Sequence, residues 1–397
     1  MTSRYGNVIV DTKIRQLQKL LTTILFCFIT PQPGQQQRKT ETFLFSRYSK
    51  TIYDKTSISE KYTNMMTPHK GINYDTGFEP YGPANSSRKT FDIEVVRREM
   101  QIIAFDLHCT HIRITGADPD RIAIAARQAV EAGMIVWFSP FPCNLSPHEL
   151  VSYFVNCARK AEEIHKISAG TVFVLGCELS LFNSGFLPGS HLLERSQAFA
   201  EFDKWQPAMN KTLKEFFAKA VPEIRQYFHG NITYAAGEWE DIDWSFFDIV
   251  SVDLYRAKHN LAYYELQLKN YMVHNKPVAI TEFGCCALYG AAKLGGNATF
   301  TVLSIQGDIL VVNEGWQYSE EEQVNYLKEL FSIFTATGVR VAFWFTFADY
   351  EKLYSDDKSH NLDMASYGVV QMLGQSGKTY PGMQWEPRKV FWEISQV

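Results

Sequence analysis

The sequence predicts an α/β protein that folds as a single (β/α)8 barrel, and three observations lead to that prediction. Short apolar segments alternate with longer segments of helical periodicity through residues 67–397, eight times in all. The predicted strands are apolar along their length, as parallel strands are when helices cover the sheet. The alternative, an open doubly wound sheet, would carry a glycine-rich phosphate loop after its first strand, and residues 71–77 (GINYDTG) do not form one. Together these observations favour the barrel.

The composition is that of a folded domain with many aromatic residues. Of the 397 residues, 46% are hydrophobic and 14% are aromatic, which excludes a disordered or fibrous chain for most of the length. The net charge of −4 argues against a nucleic-acid or anionic membrane surface, since such surfaces need clustered lysine and arginine. Rings in this number either fill the core or line a groove that stacks on a flat ligand such as a sugar.

Residues 1–66 differ from the rest, and we expect them to form a disordered or targeting extension. Their apolar run, Leu20–Ile29, is too short to span a bilayer. It resembles the core of a signal peptide, but proline, glycine and glutamine follow it instead of a small-residue cleavage site. The seven cysteines are irregularly spaced, which favours a reducing, cytoplasmic compartment, whereas five glycosylation triplets leave secretion open.

The first four strand–helix units have apolar strands and clear helix boundaries. Asp118 and Pro119 begin the second helix, and Gly133 ends it. Ser146 begins the third helix with Glu149 three positions later, which is the capping-box pattern. The predicted strands are 70–74, 111–115, 134–138 and 171–175, and the predicted helices between them are 91–105, 119–132 and 146–167.

The last four units follow the same alternation with one long interruption. The predicted strands are 232–235, 247–254, 277–280 and 339–347, and the predicted helices are 205–228, 261–273 and 319–337. The connection 285–318, after the seventh strand, is long for a strand–helix loop and contains a short apolar hairpin near 303–312. We expect this insertion to form either a lid over the site or a peripheral decoration with its own small core.

Polar and aromatic residues gather at the carboxyl ends of the predicted strands, where barrels of this kind carry their active sites. The candidates are Asn73, Asp75, Arg113, Glu178, Glu238, Trp239, Asp253, Tyr255, Glu282, Trp344 and Asp349. Carboxylates that converge on one face repel one another and lose solvation, so such a cluster destabilises the fold. A sequence selected only for stability would avoid it. The arrangement therefore indicates a functional site at that end of the barrel.

Two glutamates stand out because each one ends an apolar strand. Glu178 follows the fourth strand and Glu282 the seventh, and these strands lie across a barrel from each other. Two carboxyl groups about 5–5.5 Å apart form the machinery of a retaining glycosidase, in which one protonates the leaving oxygen and the other attacks the anomeric carbon. Either glutamate alone could equally cap the helix after its strand. The pair, with Arg113 available to hold one of them ionised, favours catalysis.

Several of these strand ends resemble the clan A (family 5-like) retaining glycoside hydrolases, a barrel superfamily that includes cellulases and β-mannanases. Residues 280–284 (ITEFG) are similar to the nucleophile strand of the clan, and residues 112–114 (IRI) to its strand-two arginine segment. Tyr255 occupies the place of a strand-six tyrosine that contacts the nucleophile. Residues 343–347 (FWFTF) are similar to the strand-eight segment whose tryptophan, here Trp344, stacks on the reacting sugar.

The resemblance implies a retaining glycoside hydrolase that acts by double displacement on a carbohydrate or glycoside. Glu282 would be the nucleophile and Glu178 the acid/base, while Arg113 and Tyr255 would position Glu282. Trp344 and the remaining candidates would bind the sugar. Nothing in the sequence suggests a nucleotide or flavin cofactor, and nothing points to a nucleic acid or a stable membrane span as a partner.

One position departs from the pattern of the clan. The residue before the acid/base glutamate is usually an asparagine that binds the sugar 2-hydroxyl, whereas here it is Cys177. This difference keeps a second interpretation open, namely a non-catalytic barrel that binds a carbohydrate or a partner protein. Residues 282–286 and 363–368 also resemble a group of bacterial and fungal proteins labelled abortive infection proteins, and that likeness runs from about residue 69 to the end. The label implies phage defence without a mechanism.

Two other groups of residues suggest a metal site less convincingly. The cysteines near strand ends are Cys143, Cys177, Cys285 and Cys286. None of them pairs with a histidine at ligand spacing, so small buried side chains are the simpler interpretation. His108 and His111 lie at the start of the second strand, on the opposite end of the barrel from the site. We therefore expect no metal.

Overall fold

The centre of the protein is a closed barrel of eight parallel β-strands. The computed structural model describes residues 67–306 and 309–397, so the extension predicted for residues 1–66 lies outside the described residues. The strands are β1 (His69–Asp75), β2 (His111–Gly116), β3 (Ile135–Pro140), β4 (Val172–Cys177), β5 (Asn231–Gly237), β6 (Val250–Asp253), β7 (Val278–Phe283), β8 (Leu303–Gln306), β9 (Ile309–Val312), β10 (Val341–Trp344), β11 (Val370–Met372) and β12 (Trp385–Pro387). The barrel closes in the order β1-β10-β7-β6-β5-β4-β3-β2, which confirms the predicted fold class.

Helices connect successive barrel strands and cover the outside of the barrel. They are α1 (Ile93–Phe105), α2 (Pro119–Glu131), α3 (Pro147–Ile167), α4 (Leu179–Phe182), α5 (Leu192–Gln197), α6 (Phe202–Arg225), α7 (Tyr264–Tyr271), α8 (Ala298–Val302), α9 (Glu320–Thr337) and α10 (Lys389–Ile394). Helix α2 begins where the Asp118 side chain accepts from the amides of Asp120 and Arg121, and α3 begins at the predicted capping box of Ser146 and Glu149. Within the described ranges, no helix is long and apolar enough to cross a bilayer.

The strand side chains divide between two packed layers. One small cluster, made of alternate strand residues such as Val172, Val174 and Phe343, fills the interior of the barrel. A larger cluster packs the outward-facing strand residues against the helices. Gly71 makes room inside, because a Cβ atom there would lie 2.4 Å from the Phe343 ring. The interior is therefore packed, and the open end of the barrel is the place for a ligand.

The long connection between β7 and α9 carries the predicted hairpin, formed by β8 and β9. Part of this insertion reaches the carboxyl end of β6, since a Cβ atom on Gly296 would lie 3.5 Å from the Tyr255 ring. The amide of Ala298 donates to Tyr367 Oη at 3.0 Å. The insertion thus contacts the barrel mouth beside a predicted site residue.

Candidate active site

Glu282 lies at the carboxyl end of β7, and each of its carboxylate oxygens has a donor. Arg113 Nη1 donates to Oε1 at 2.8 Å, and Tyr255 Oη donates to Oε2 at 2.9 Å. The side chain is 12% exposed, so one edge remains open to the mouth. The two donors come from β2 and from the end of β6, and together they set the direction of the carboxylate.

Arg113 is buried inside the barrel and is itself held by neighbouring strands. Its Nε donates to Ser139 Oγ at 3.1 Å, and its Nη1 donates to Asn73 Oδ1 at 3.0 Å. Asn73 in turn donates from Nδ2 to the Thr281 carbonyl at 2.9 Å and is 1% exposed. The sequence predicted that Asn73 contacts substrate, whereas the structure places it behind Arg113, where it supports the guanidinium.

Replacing Arg113 with methionine should destabilise the fold by about 3–5 kcal/mol, because the variant leaves buried carboxylates without their cation. The guanidinium lies 2.8 Å from Glu282 and 3.8 Å from Asp253. Urea unfolding followed by tryptophan fluorescence measures the loss. The double variant Arg113→Met/Glu282→Gln is the matched control and should recover part of the stability. A single variant as stable as the wild type would contradict this account of the pair.

Asp253 and Cys177 lie next to Glu282 and are also buried. Cys177 Sγ donates to Asp253 Oδ2 at 3.2 Å and lies 3.8 Å from Glu282 Oε1. Burial raises the pKa of Asp253, and the charge of Glu282 raises it further, while Arg113 opposes both effects. Burial likewise raises the pKa of the Cys177 thiol well above its ordinary value. Asp253, predicted to bind substrate, is 3% exposed and belongs to this network.

These three side chains also have the spacing of a metal site. One ligand atom each from Cys177, Asp253 and Glu282 lies within 4.8 Å of the other two. However, Arg113 already presents a guanidinium to both carboxylates, and a metal ion there would compete with that fixed positive charge. The arrangement is better explained as a hydrogen-bonded support for Glu282.

Glu178 directly follows β4 and has a left-handed backbone conformation, with φ at 43°. Such a conformation is unusual for a residue with a side chain and persists only where the surroundings hold it. Burial raises the pKa of Glu178 well above its ordinary value, and the charges of Asp253 and Glu282 raise it further. The Glu178 carboxyl therefore keeps its proton to a higher pH than an ordinary glutamate, and it lies within electrostatic reach of Glu282.

The predicted stacking ring, Trp344, lies in the outer packed layer instead of at the mouth. It is 1% exposed, and its indole Nε1 donates to the Tyr367 carbonyl at 3.0 Å. Its ring packs against Phe283, with centroids 5.4 Å apart. A ring buried to this extent offers no free face to a sugar.

The neighbouring ring, Phe345, is the partly exposed one. Its centroid lies 5.8 Å from that of Tyr367, which lies 6.1 Å from that of Tyr255, so these rings lead toward Glu282. The sequence prediction chose Trp344 and not Phe345 as the stacking ring, although strand alternation was a usable signal. Val341 and Phe343 belong to the interior cluster, whereas Ala342 and Trp344 belong to the outer one, so the two-residue period of the strand already places Trp344 away from the interior.

The candidates from β5 lie at the mouth but are engaged in local contacts. Glu238 is exposed, accepts from Gln267 Nε2 at 3.1 Å and pairs with His259 Nε2 at 3.2 Å. That hydrogen bond raises the pKa of His259. Trp239 is half-buried, and its indole donates to Ser180 Oγ at 3.0 Å. Both residues remain partly accessible from the side of β5.

The candidates from β1 and the loop after β10 form a separate group. Asp75 accepts from the Gly77 amide at 2.9 Å and from the Ser87 hydroxyl, so its carboxylate shapes the loop after β1. Asp349 pairs with Lys352 at 2.6 Å. Burial raises the pKa of Asp75, and Asp349 contributes to the increase, which places the two carboxylates near each other. The structure thus separates the central residues, around Glu178 and Glu282, from this flanking group.

The chain shares its fold with glycoside hydrolases of known structure. No protein-family model and no curated protein sequence matches it. It is similar to a GH113 β-1,4-mannanase in a complex, with a TM-score of 0.50 and 15% identity, covering 83% of this chain and 98% of that one. It is also similar to Bacteroides uniformis β-glucuronidase 2 covalently bound to cyclophellitol-6-carboxylate aziridine. The TM-score is 0.48 and the identity 16%, and the match covers 77% of this chain and 33% of that one. A third similar structure is a hyperthermophilic β-glucosidase mutant, with a TM-score of 0.47 and 12% identity. That match covers 83% of this chain and 99% of the other.

At these identities the likeness extends to the barrel fold alone, and one fold carries many chemistries. The resemblance to abortive infection proteins finds no support in these matches.

Proposed function

We propose that this protein is a retaining glycoside hydrolase that cleaves a glycosidic bond by double displacement. The observation that carries the proposal is the pair of glutamates in contrasting environments at one end of the barrel. Glu282 accepts from a guanidinium and a phenol, whereas burial and neighbouring carboxylates raise the pKa of Glu178. A retaining glycosidase needs one carboxyl group that keeps its proton and a second one that is aimed at the anomeric carbon, and these two environments fit those roles.

In the first step, one oxygen of Glu282 attacks the anomeric carbon while the bond from that carbon to the leaving oxygen breaks. Glu178 gives its proton to the leaving oxygen, so the departing group leaves as a neutral alcohol. Arg113 and Tyr255 keep the carboxylate aimed at the mouth, which lowers the cost of reaching the reactive geometry. The product of this step is a glycosyl ester on Glu282.

In the second step, water attacks the anomeric carbon and the ester bond to Glu282 breaks. Glu178, now deprotonated, accepts the proton of the water and returns to its starting state. Forming the ester removes the charge of Glu282, one of the charges that raise the pKa of Glu178. The pKa of Glu178 therefore falls in the intermediate, where it must act as a base.

A carbohydrate substrate is supported by the partly exposed rings around this pair. Phe345 offers a partly exposed ring beside Tyr367, and Trp239 offers a second one on the side of β5. We assign the stacking contact to Phe345 in place of the buried Trp344. The similar structure named as a β-1,4-mannanase supports the same substrate class.

A 2-deoxy-2-fluoro glycoside with an activated leaving group tests this proposal. The fluorine slows hydrolysis of the ester more than its formation, so the sugar should accumulate on Glu282 in a one-to-one ratio. Mass spectrometry of the peptide containing residues 280–284 measures the label across gluco-, manno- and galacto-configured reagents. Glu282→Gln is the control and should stay unlabelled.

The second candidate function is a non-catalytic barrel that binds a carbohydrate or a partner protein. It is favoured by Cys177, whose thiol is directed to Asp253 and so is not free to bind a sugar hydroxyl. Failure of every reagent to label the wild type, with sugar binding detected by calorimetry, would favour this candidate over the enzyme.

A further inference from the structure

The buried carboxylate of Glu240 contacts the turn that follows Glu178, and the proposed reaction does not use it. Glu240 is 9% exposed and follows β5 by three residues. Its Oε1 accepts from the amide of Ser180 at 3.1 Å and from its hydroxyl at 2.5 Å. Its Oε2 accepts from Tyr234 Oη at 2.7 Å and from the Gly237 amide at 3.1 Å. With two donors on each oxygen, Glu240 has little capacity left for a substrate hydroxyl.

The partners of Glu240 hold the turn that begins at Glu178. The phenol oxygen of Tyr234 accepts from the Leu179 amide at 2.7 Å, while Glu240 accepts from the Ser180 amide. These are the first two amides after Glu178, and amides at the start of a helix have no acceptor within that helix. Trp239 also donates to the Ser180 hydroxyl at 3.0 Å, so β5 and the residues after it hold this turn from one side.

The turn needs such support because of the backbone of Glu178. A left-handed conformation at a glutamate is disfavoured by contact between its Cβ atom and the backbone, and it persists only where the surroundings impose it. The same conformation sets the direction in which the Glu178 carboxyl leaves the chain. Anything that relaxes the turn would therefore move the proposed acid/base group away from the leaving oxygen.

We propose that Glu240, together with Tyr234, is a positioning residue for Glu178, holding the left-handed turn after β4 so that the acid/base carboxyl faces the substrate. This inference rests on the proposed function and extends it to a residue that touches neither substrate nor nucleophile. Its physical basis is the set of hydrogen bonds to the amides of Leu179 and Ser180.

Glu240 also acts on Glu178 through its charge. The groups that raise the pKa of Glu178 are, after burial itself, Asp253, Glu282 and Glu240, and Arg113 opposes them. Burial raises the pKa of Glu240 itself, while its hydrogen bonds from Ser180, Tyr234 and Gly237 oppose that effect and favour the charged form. Removing that charge should lower the pKa of Glu178. The rate should then begin to fall at a lower pH, because Glu178 loses its proton earlier as the pH rises.

Glu240→Gln and Tyr234→Phe test the inference with a glycoside that the wild type hydrolyses. For a substrate with a poor leaving group, kcat should fall about 10- to 100-fold in each variant while KM changes little, because the acid is misplaced. For an aryl glycoside with an activated leaving group, the loss in kcat/KM should be much smaller, since that group leaves without a proton. In Glu240→Gln the alkaline limb of kcat/KM should also move to lower pH.

The matched control is Asp241→Asn, which removes the exposed carboxylate next in sequence and should leave kcat and the pH profile unchanged. Ser180→Ala keeps both glutamates and removes one hydrogen bond to Glu240, so it should show a smaller fall of the same kind if Glu240→Gln fails to fold. Folded variants with wild-type kcat/KM on both substrates would overturn the inference. Equal losses in kcat/KM on both substrates would also overturn it, because they indicate a general structural defect and not a misplaced acid. A wild-type chain that is neither labelled nor active overturns the proposed function itself.

Discussion

Replacing Glu282 with glutamine should lower kcat/KM by at least about a thousandfold while the barrel remains folded. An amide is a poor nucleophile, so the glycosyl ester cannot form, and loss of a nucleophile removes most of the catalysis that depends on it. The amide keeps the shape of the side chain between Arg113 and Tyr255. The fold should therefore survive with a modest loss of stability from the missing charge opposite Arg113.

Initial rates on the glycoside that the wild type hydrolyses best provide the measurement, with thermal unfolding as the check on folding. A smaller variant, Glu282→Ala, should regain turnover of an activated glycoside when azide is added, because the anion can attack from the vacated space. The azide product should have the anomeric configuration opposite to that of the wild-type product. If the Glu282→Gln variant hydrolysed the substrate at the wild-type rate, Glu282 would not be the nucleophile.

Replacing Glu178 with glutamine should lower the rate on substrates with poor leaving groups by about 10²–10⁴-fold, the usual contribution of a general acid. A substrate with an activated leaving group should still form the glycosyl ester, but its hydrolysis should be slow because the general base is also missing. The expected result is a burst of one equivalent of leaving group followed by slow turnover. Stopped-flow absorbance with an aryl glycoside measures both phases.

The pH dependence of the same variant gives an independent check. Burial and neighbouring charges raise the pKa of Glu178, so the wild-type enzyme keeps its acid until the pH passes that raised pKa, and kcat/KM then falls. Glutamine does not titrate, so the alkaline limb should disappear. An unchanged alkaline limb would show that another group, with Asp253 the nearest candidate, is responsible.

The free energy of unfolding of the wild type should fall as the pH rises through the raised pKa of Glu178. The pKa of Glu178 is higher in the folded state than in the unfolded state, so the folded state binds this proton more tightly. Proton binding by Glu178 therefore stabilises the fold fully below the unfolded pKa. The stabilisation is lost as the pH rises through the folded pKa. The stability of Glu178→Gln relative to the wild type should therefore increase as the pH rises over that interval. Urea titrations at several pH values compare the two proteins.

The barrel and its central glutamates could be predicted because both depend on local sequence. A run of apolar residues that ends in a polar one identifies the carboxyl end of a strand, and in a parallel barrel all such ends meet on one face. This reasoning placed Glu178, Glu282, Arg113 and Tyr255 together, and the structure shows Arg113 and Tyr255 on the two oxygens of Glu282. The sequence assigned the stacking ring to Trp344, whereas the two-residue period of the strand places that ring in the outer packed layer.

The same local patterns could not predict which of these side chains are buried or which groups they form hydrogen bonds with. Asn73 and Asp253 lie near the carboxyl ends of their strands as Glu282 does, yet they are only 1% and 3% exposed and lie around Arg113. Glu240 also lies just after a strand end, yet its carboxylate accepts from the turn after Glu178. Its partners, Tyr234 and Ser180, lie on different strand–helix units, so no local pattern joins them.

The amino-acid sequence alone is therefore enough to specify the fold class and the end of the barrel that carries the chemistry, because periodicity and strand ends are local properties of the chain. The environment of each carboxyl group follows instead from contacts between strands that are distant in sequence. Those contacts determine that Glu282 faces Arg113 and Tyr255, and that burial and Asp253 raise the pKa of Glu178. Electrostatic interactions depend on distance and solvent exposure, and both are properties of the assembled barrel.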